Sequence, residues 1–433
     1  MRAMKDSGIE WIGKIPDNWS VKRVKMAFIR KKEEAHQDEP VVLSLARAGV
    51  KVRDLSTGEG QIAESYYNYN PVEIGDFLIN PMDLYSGANC SISKIQGVIS
   101  PAYINLRARK EYDAAYYDYY FKTQYWAMAM FAHGKGVSFD NRWTLNANDL
   151  MNYYIPCPTY KEQQKISAYL DRQCGLIDSV IEKTKASVEE YKNLRQAVIT
   201  QAVTKGVRGD RPMKDSGIEW IGEIPEEWTL TKVRYIGALQ NGISKGGDYF
   251  GEGFPFVSYG DVYKNYSIPQ NVNGLVRTTE DERKQYSVIS GDIFFTRTSE
   301  TIEEVGFSAV CEKTIENATF AGFVIRLRPY EVDSLILTSY AKYYFRGEQI
   351  RKYLVKEMNL VTRASLGQGL LNAMSVLIPP MNEQQEIAEY LDKKCTEIDS
   401  LISKKEQFLT ELEAYKKSLI YEYVTGKKEV PQA

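Results

Sequence analysis

Along residues 160–200 apolar side chains recur at spacings of three and four: Ile166, Leu170, Ile177, Val180, Ile181, Val188, Tyr191, Leu194 and Val198, with Glu, Lys and Gln between them. The pattern returns as Ile387, Leu391, Ile398, Leu401, Ile402, Phe408, Leu412, Tyr415 and Leu419. A narrow apolar stripe on an otherwise charged helix is a coiled-coil pattern. About 40 residues rising ~1.5 Å each make a rod of ~60 Å. Such a helix is not stable alone. Two matching stripes therefore predict a pair, with Leu170, Ile177, Ile181, Leu194 and Val198 of one helix facing Leu391, Ile398, Ile402, Leu412 and Leu419 of the other. Thr159-x-x-Glu162 and Asn382-x-x-Gln385, each behind proline, read as capping boxes. Glycine-containing segments at 204–212 and 425–433 end the two helices.

Elsewhere the apolar runs are short and β-rich. "PVVLSLA", "DFLIN" and "VISPAYINLRA" read as strands before a helix over 112–132. "FPFVSYGDV", "GDIFFTRT", "VGFSAVCE" and "AGFVIRLRP" read as strands before a helix over 334–354. Gly75-Asp76 and Gly291-Asp292 precede equivalent strands and read as structural turns.

The chain is an internal duplication. "MKDSGIEWIGKIPDNW" at 4–19 returns as "MKDSGIEWIGEIPEEW" at 213–228, with 13 of 16 positions identical. "EQQKISAYLDRQCGLIDSVI" from Glu162 returns from Glu383 with 12 of 20 identical. The middles, roughly 20–155 and 229–378, share little. Repeats of this kind take precedence over local motifs. The division is 1–155 as a first domain with its head at 4–19, 156–206 as a central helix, 207–378 as a second domain with its head at 213–228, and 379–427 as a helix pairing with the central one. The fold class is α+β: two similar α/β domains separated by two long antiparallel coiled-coil helices with a pseudo-twofold repeat.

Composition narrows the function. No apolar run approaches the ~20 residues of a membrane span, and no signal-peptide core is present, which predicts a cytoplasmic protein. Five scattered cysteines and two histidines offer no metal set, and Cys174 and Cys395 read as small core residues. The net charge is −2, and Lys+Arg against Asp+Glu is 16 to 15 over residues 20–155 and 17 to 16 over 229–378, so any basic face must come from local segregation. There is no glycine-rich loop ending in GK[ST] and no Asn/Asp-Pro-Pro-aromatic motif; "NPMD" at 80–83 lacks the second proline and the aromatic. The sequence predicts a binding protein without catalytic residues, metal or cofactor.

Binding chemistry points to the loops. "ARAGVKVRD", "NPMDLYSGANC" and "HGKGVSFDNRW" in the first middle, and "LQNGISKGGDYFGEG", "TRTSETIEEVG" and "VTRASLGQG" in the second, are polar loops of differing composition on a shared frame. Their Lys, Arg, Asn, Ser and Gln side chains suit phosphates and base edges. Candidate contacts to double-stranded DNA are Lys51, Arg53, Asn80, Tyr85, Lys135 and Arg142 in the first domain, and Lys245, Arg297, Ser299, Arg363 and Gln368 in the second.

This organisation resembles the specificity subunits of type I restriction–modification systems. The resemblance rests on "SGIEWIGxIPxxW" before each middle, on "IPCPTYKEQQKI" at 155–166 and "IPPMNEQQEI" at 378–387, and on helix ends at Val203–Gly206 and Val424–Lys427. It implies that each middle is a target-recognition domain for one half of a split, asymmetric DNA site. It implies that the helices set the spacer and dock two methyltransferase subunits, with restriction subunits joining where they exist. S-adenosylmethionine, ATP and Mg would belong to those partners. The alternatives are a standalone DNA-binding regulator or anti-restriction decoy on the same scaffold, and a coiled-coil assembly protein whose middles bind proteins.

Overall fold

A computed structural model of the chain describes residues 2–56, 63–82, 84, 90–136, 143–299, 305–357 and 364–431. The chain folds as two compact units, Met1–Lys185 with Gln407–Ala433, and Ala186–Glu406. Each long helix, Tyr160–Lys205 and Met381–Val424, therefore contributes one part to each unit.

The first unit is built on a four-stranded antiparallel sheet in the order Phe28–Lys31, Ile104–Ala108, Phe77–Ile79, Cys90–Ile92. Helix Ala114–Trp126 packs on it, starting where Asp113 accepts the Ala115 N–H at 3.2 Å. Tyr116, Tyr117, Tyr120 and Phe121 are fully buried on that helix, against Phe28 and Phe77. The expected strand 98–108 divides: Pro101 follows Ser100 in a turn closed by Tyr103 N–H to the Ser100 carbonyl at 3.0 Å, leaving Gly97–Ile99 and Ile104–Ala108 as separate strands.

The second unit repeats the strand order as Gly237–Asn241, Val324–Pro329, Ile293–Thr296, Ser308–Val310. Its expected single helix over 334–354 is two, Thr338–Tyr344 and Glu348–Glu357. The break follows from Arg346, whose buried guanidinium donates to the carbonyls of Val262, Tyr263, Asn265 and Ser308, and from Gly347 beside it. Likewise "FPFVSYGDV" is a strand only to Val257; Ser258 then caps a short helix in a capping box with Asp261.

The Gly-Asp turns carry matching buried ion pairs. Gly75 and Gly291 sit at φ 91° and 90°, a region closed to most side chains. The following carboxylates are fully buried. Asp76 takes Arg107 Nε at 2.7 Å and Lys31 at 3.0 Å; Asp292 takes Arg328 Nε and Nη2, both at 2.7 Å. Each also accepts the backbone N–H three residues before it, at 2.8 Å and 2.9 Å.

Each repeated head clasps a repeated tail. The heads are two-stranded hairpins, Met4–Asp6 with Lys14–Pro16 and Met213–Asp215 with Glu223–Pro225. In the first unit Arg2 lies over the buried Trp19 ring and meets Glu162 at 2.6 Å. In the second Arg211 lies over Trp228 and meets Glu383 at 2.6 Å. This corrects the capping boxes. Thr159 Oγ1 does accept the Glu162 N–H, but the Glu162 carboxylate is turned to Arg2. The second helix starts at Met381 under the Pro380 carbonyl, so Asn382 lies inside it. The neighbouring glutamines are structural twins: Gln163 holds the Pro158 carbonyl and the Asp113 N–H, and Gln384 holds the Pro379 carbonyl and the Leu337 N–H.

Within each unit the helix segments run antiparallel. In the first, Tyr169 meets Tyr423 and Asp178 meets Lys416 at 2.6 Å. In the second, Tyr191 lies by Lys405 and Arg195 meets Asp399 at 2.5 Å. Leu170, Ile177, Ile181 and Leu419 join the core of the first unit, with Leu412 packed at its margin. Leu391 joins the main core of the second unit with Val198 at its margin, and Ile398 and Ile402 pack with Val188. Leu194 is the exception, 48% exposed. The seam runs through Tyr191, Arg195 and Ile199, because the Arg195 guanidinium takes the inward place between Asp399 and the Tyr266 ring. Val180, Leu401, Phe408 and Tyr415 of the sequence stripe also face outward. Cys174 and Cys395 are buried at equivalent seam positions.

Candidate nucleic-acid interface

The variable loops of each unit are anchored at one end of its sheet by one device. In the second unit, strand Ile293–Thr296 runs into Arg297, whose N–H donates to the Phe323 carbonyl at 2.9 Å and whose carbonyl takes the Leu366 N–H at 2.7 Å. Thr298–Ser299 then pairs antiparallel with Ala364–Ser365. That ribbon holds two loop stems side by side, next to the helix Gln368–Ala373. Gln368 Nε2 donates to Asn241 Oδ1 at 2.9 Å, and Arg297 Nη1 reaches the Gly322 carbonyl at 3.5 Å. Arg297, Gln368 and the Ser299 backbone thus converge. Arg363 lies outside the described residues, as does the Ser299 side chain.

In the first unit Leu145 N–H meets the Pro81 carbonyl at 2.8 Å, as Leu366 meets Arg297. Gly134–Lys135 pairs with Thr144–Leu145, which leaves Lys135 exposed at the ribbon end. Asn80 is engaged in a turn: its Oδ1 accepts the Met82 N–H at 3.0 Å and its carbonyl takes the Tyr125 hydroxyl at 3.0 Å. Asn80 and Lys135 are brought to one end of the sheet. Lys51 stands exposed on a separate hairpin, Leu43–Ala46 with Gly49–Val52, and Arg53 follows it with its N–H on the Val42 carbonyl. Tyr85 and Arg142 lie outside the described residues.

Lys245 differs from the expectation of a phosphate ligand. Its ammonium donates to Glu282 and to the Arg277 carbonyl, both at 2.8 Å, and this bond holds the Glu282 carboxyl below its ordinary range. Lys245 is tied into the loop it supports. Beside it, in the same loop, are aromatic side chains that were not among the candidate contacts. Tyr249, 47% exposed, has the Lys245 ammonium 4.9 Å and the Arg277 guanidinium 5.3 Å from its ring centre. Phe250, the next residue, is also exposed, as is Phe323. Alternating cations and aromatic faces suit a nucleic-acid backbone and its bases. The signal available in sequence was "GDYFGEGF" and Arg277, the first arginine of "VRTTEDER".

The same frame, built twice and bearing unlike loops of amide, cation and aromatic groups, defines a protein of two similar domains on a duplicated scaffold; among the described residues no His/Cys/Asp/Glu group is arranged to hold a metal. Residues 225–411 match the type I restriction modification DNA specificity domain. The specificity subunit of the type I restriction enzyme EcoKI from Escherichia coli K12 is 25% identical over 58% of this chain and 52% of its own length. The putative MjaX specificity subunit of Methanocaldococcus jannaschii is 23% identical over 96% of this chain and 95% of its own. A chain from a structural study of complex assembly and conformational transition in the type I R-M system superposes with TM-score 0.73 at 15% identity, covering 96% of this chain and 99% of that one. The HsdS subunit of Thermoanaerobacter tengcongensis superposes with TM-score 0.51 at 14% identity, covering 96% and 98%. The chain is thus similar along nearly its whole length to specificity subunits of type I restriction–modification systems, and residues 225–411 match their DNA specificity domain. No helix among its described residues is long and apolar enough to cross a membrane.

Proposed function

We propose that each unit reads one half of an interrupted, asymmetric site in double-stranded DNA, and that the chain delivers this specificity to two methyltransferase subunits and, where present, to restriction subunits. The observation that carries the reading is the pairing of an identical frame with unlike loops: same strand order, same head–tail clasp, different residues at the ribbon ends. The chain contributes recognition in the cytoplasm; S-adenosylmethionine, ATP and Mg belong to the partners. Its long helices set the spacing of the half-sites. Half-sites on one face of DNA lie about one turn, ~34 Å, apart, and helices of 46 and 44 residues are long enough to measure that.

Partner docking is supported by the outward apolar positions of the helices. Val180 and Tyr415 are exposed in the first unit, Leu194 and Leu401 in the second. They are repeat equivalents: Val180 corresponds to Leu401 and Leu194 to Tyr415, at the offset that separates Glu162 from Glu383. A face of this kind suits a helix from a partner, and its duplication suits two copies of one partner. A standalone regulator or decoy has no use for it.

The test is to map methylated adenines with and without the gene, then to exchange residues 20–155 for the corresponding middle of a relative. One half-site changes and the other stays. A change in both halves contradicts the reading. Four residues inserted into both helices add ~6 Å, about two base-pair steps of ~3.4 Å, to the spacer.

A further inference from the structure

We infer that Phe323 is a stacking wedge that enters a base-pair step of the half-site read by the second unit, a role that rests on the DNA-reading function proposed above. The ring is 65% exposed, more than any other phenylalanine among the described residues. It stands on a turn fixed from four directions. Val324 N–H closes on the Ala321 carbonyl at 2.9 Å, Gly322 N–H donates to the Ile243 carbonyl at 2.8 Å, Ala321 N–H donates to the Val257 carbonyl at 3.0 Å, and the Phe323 carbonyl takes the Arg297 N–H at 2.9 Å. Gly242 backs onto the same turn so closely that a Cβ there would collide with the Phe320 and Ala321 carbonyl oxygens. Contact therefore needs no further ordering of the backbone.

The surroundings select the partner. Arg297 is bonded to the turn itself, and the Asn241–Gln368 amide pair lies at the same sheet end. Ser244, whose hydroxyl abuts Gly322, leads into Lys245, Tyr249 and Arg277. An apolar ring among cations and amides matches a ligand that is anionic at its edge and flat and apolar inside. A nucleic-acid base step has that chemistry, and phenylalanine wedges of this kind unstack such steps.

The first unit lacks the ring. Its Ser100–Tyr103 turn is closed by the equivalent bond, and Ala102 stands two residues before Ile104, which pairs with Ile79, as Phe323 stands two before Ile325, which pairs with Phe295. Unstacking is thus confined to one half-site.

The experiment uses the complex of this chain with its methyltransferase subunits and duplexes carrying 2-aminopurine at successive positions of both half-sites. Binding raises fluorescence at one step of the second half-site only. Phe323→Ala removes that rise and weakens binding roughly tenfold, Phe323→Trp keeps both, and thermal unfolding is unchanged because the ring is exposed. If Phe323→Ala leaves fluorescence and affinity intact while Arg297→Ala weakens binding, the wedge is wrong and the DNA face stands. If neither variant alters binding, both fall.

Discussion

Trp228 donates its indole N–H to Glu383 at 2.9 Å, and the carboxylate that accepts it has no exposed surface. Arg211 supplies the opposing charge at 2.6 Å. In the first unit the corresponding Trp19 N–H has no acceptor among the described residues, and the Glu162 side chain is 22% exposed. One clasp is a buried network and its twin is a partly solvated ion pair.

Glu383→Ala should therefore destabilise the protein far more than Glu162→Ala. Removing one member of a buried, hydrogen-bonded pair costs about 3–5 kcal/mol, whereas a partly exposed pair contributes about 1 kcal/mol. Urea unfolding followed by tryptophan fluorescence measures both, and equal losses would mean the burial difference is energetically irrelevant.

Asp292 and Arg328 invite a related test. Asp292→Ala strands a guanidinium beside the Ser287 carbonyl and should cost about 3–5 kcal/mol. The double change Asp292→Leu with Arg328→Met should recover most of that, because an apolar pair carries no desolvation penalty. A double variant as unstable as the single one would show that geometry at the Gly291 turn, rather than charge, sets the requirement.

Alkaline pH should loosen the second unit. Burial pushes the Cys311 thiol up to about 12 and the Cys395 thiol up to about 11, from an ordinary 9.0. The unfolded chain loses these protons first. The stabilisation is complete below pH 9 and is lost as pH rises toward 11 and 12. The urea midpoint should be level from pH 7 to 8.5 and fall above 9, less steeply in a Cys311→Ala, Cys395→Ala variant. Buried Tyr340, whose hydroxyl is also pushed up, leaves a residual slope.

The loop residues divide by what they should do. Lys51 and Lys135 are exposed at chain positions suited to phosphates. Each alanine variant should weaken binding evenly across sequences and lower the log–log salt slope by about 0.9. Gln368→Ala should instead relax discrimination at one position, by about 1–3 kcal/mol. Binding isotherms across salt concentration, with site and mismatched duplexes, distinguish the two outcomes.

Periodicity and repetition made the helices, the heads and the strand-rich middles legible, because 3.6-residue and two-residue patterns are local properties. The helix break at Arg346 was hidden, since its carbonyl partners come from residues 262–265 and 308, far away in sequence. Leu194 misled for the same reason: a leucine fits the stripe, and only the position of Asp399 and Tyr266 shows why Arg195 displaces it. Loop composition named Arg297 and Gln368, which the fold brings to one sheet end, and took in the loop that holds Tyr249 without naming that residue, whereas Phe323 fell in a segment read as a strand. An exposed aromatic reads in sequence like any core residue.

The two units also differ in when they become complete. Ala186–Glu406 is one unbroken stretch, whereas the first unit includes Gln407–Ala433, whose Val424 carbonyl takes the Tyr116 hydroxyl at 2.8 Å. On the ribosome the earlier-made domain must wait, its tyrosine-lined floor open, while the later-made one already has all its parts. Chaperone dependence and protease sensitivity during synthesis should therefore concentrate in the N-terminal half, the reverse of the usual vectorial order.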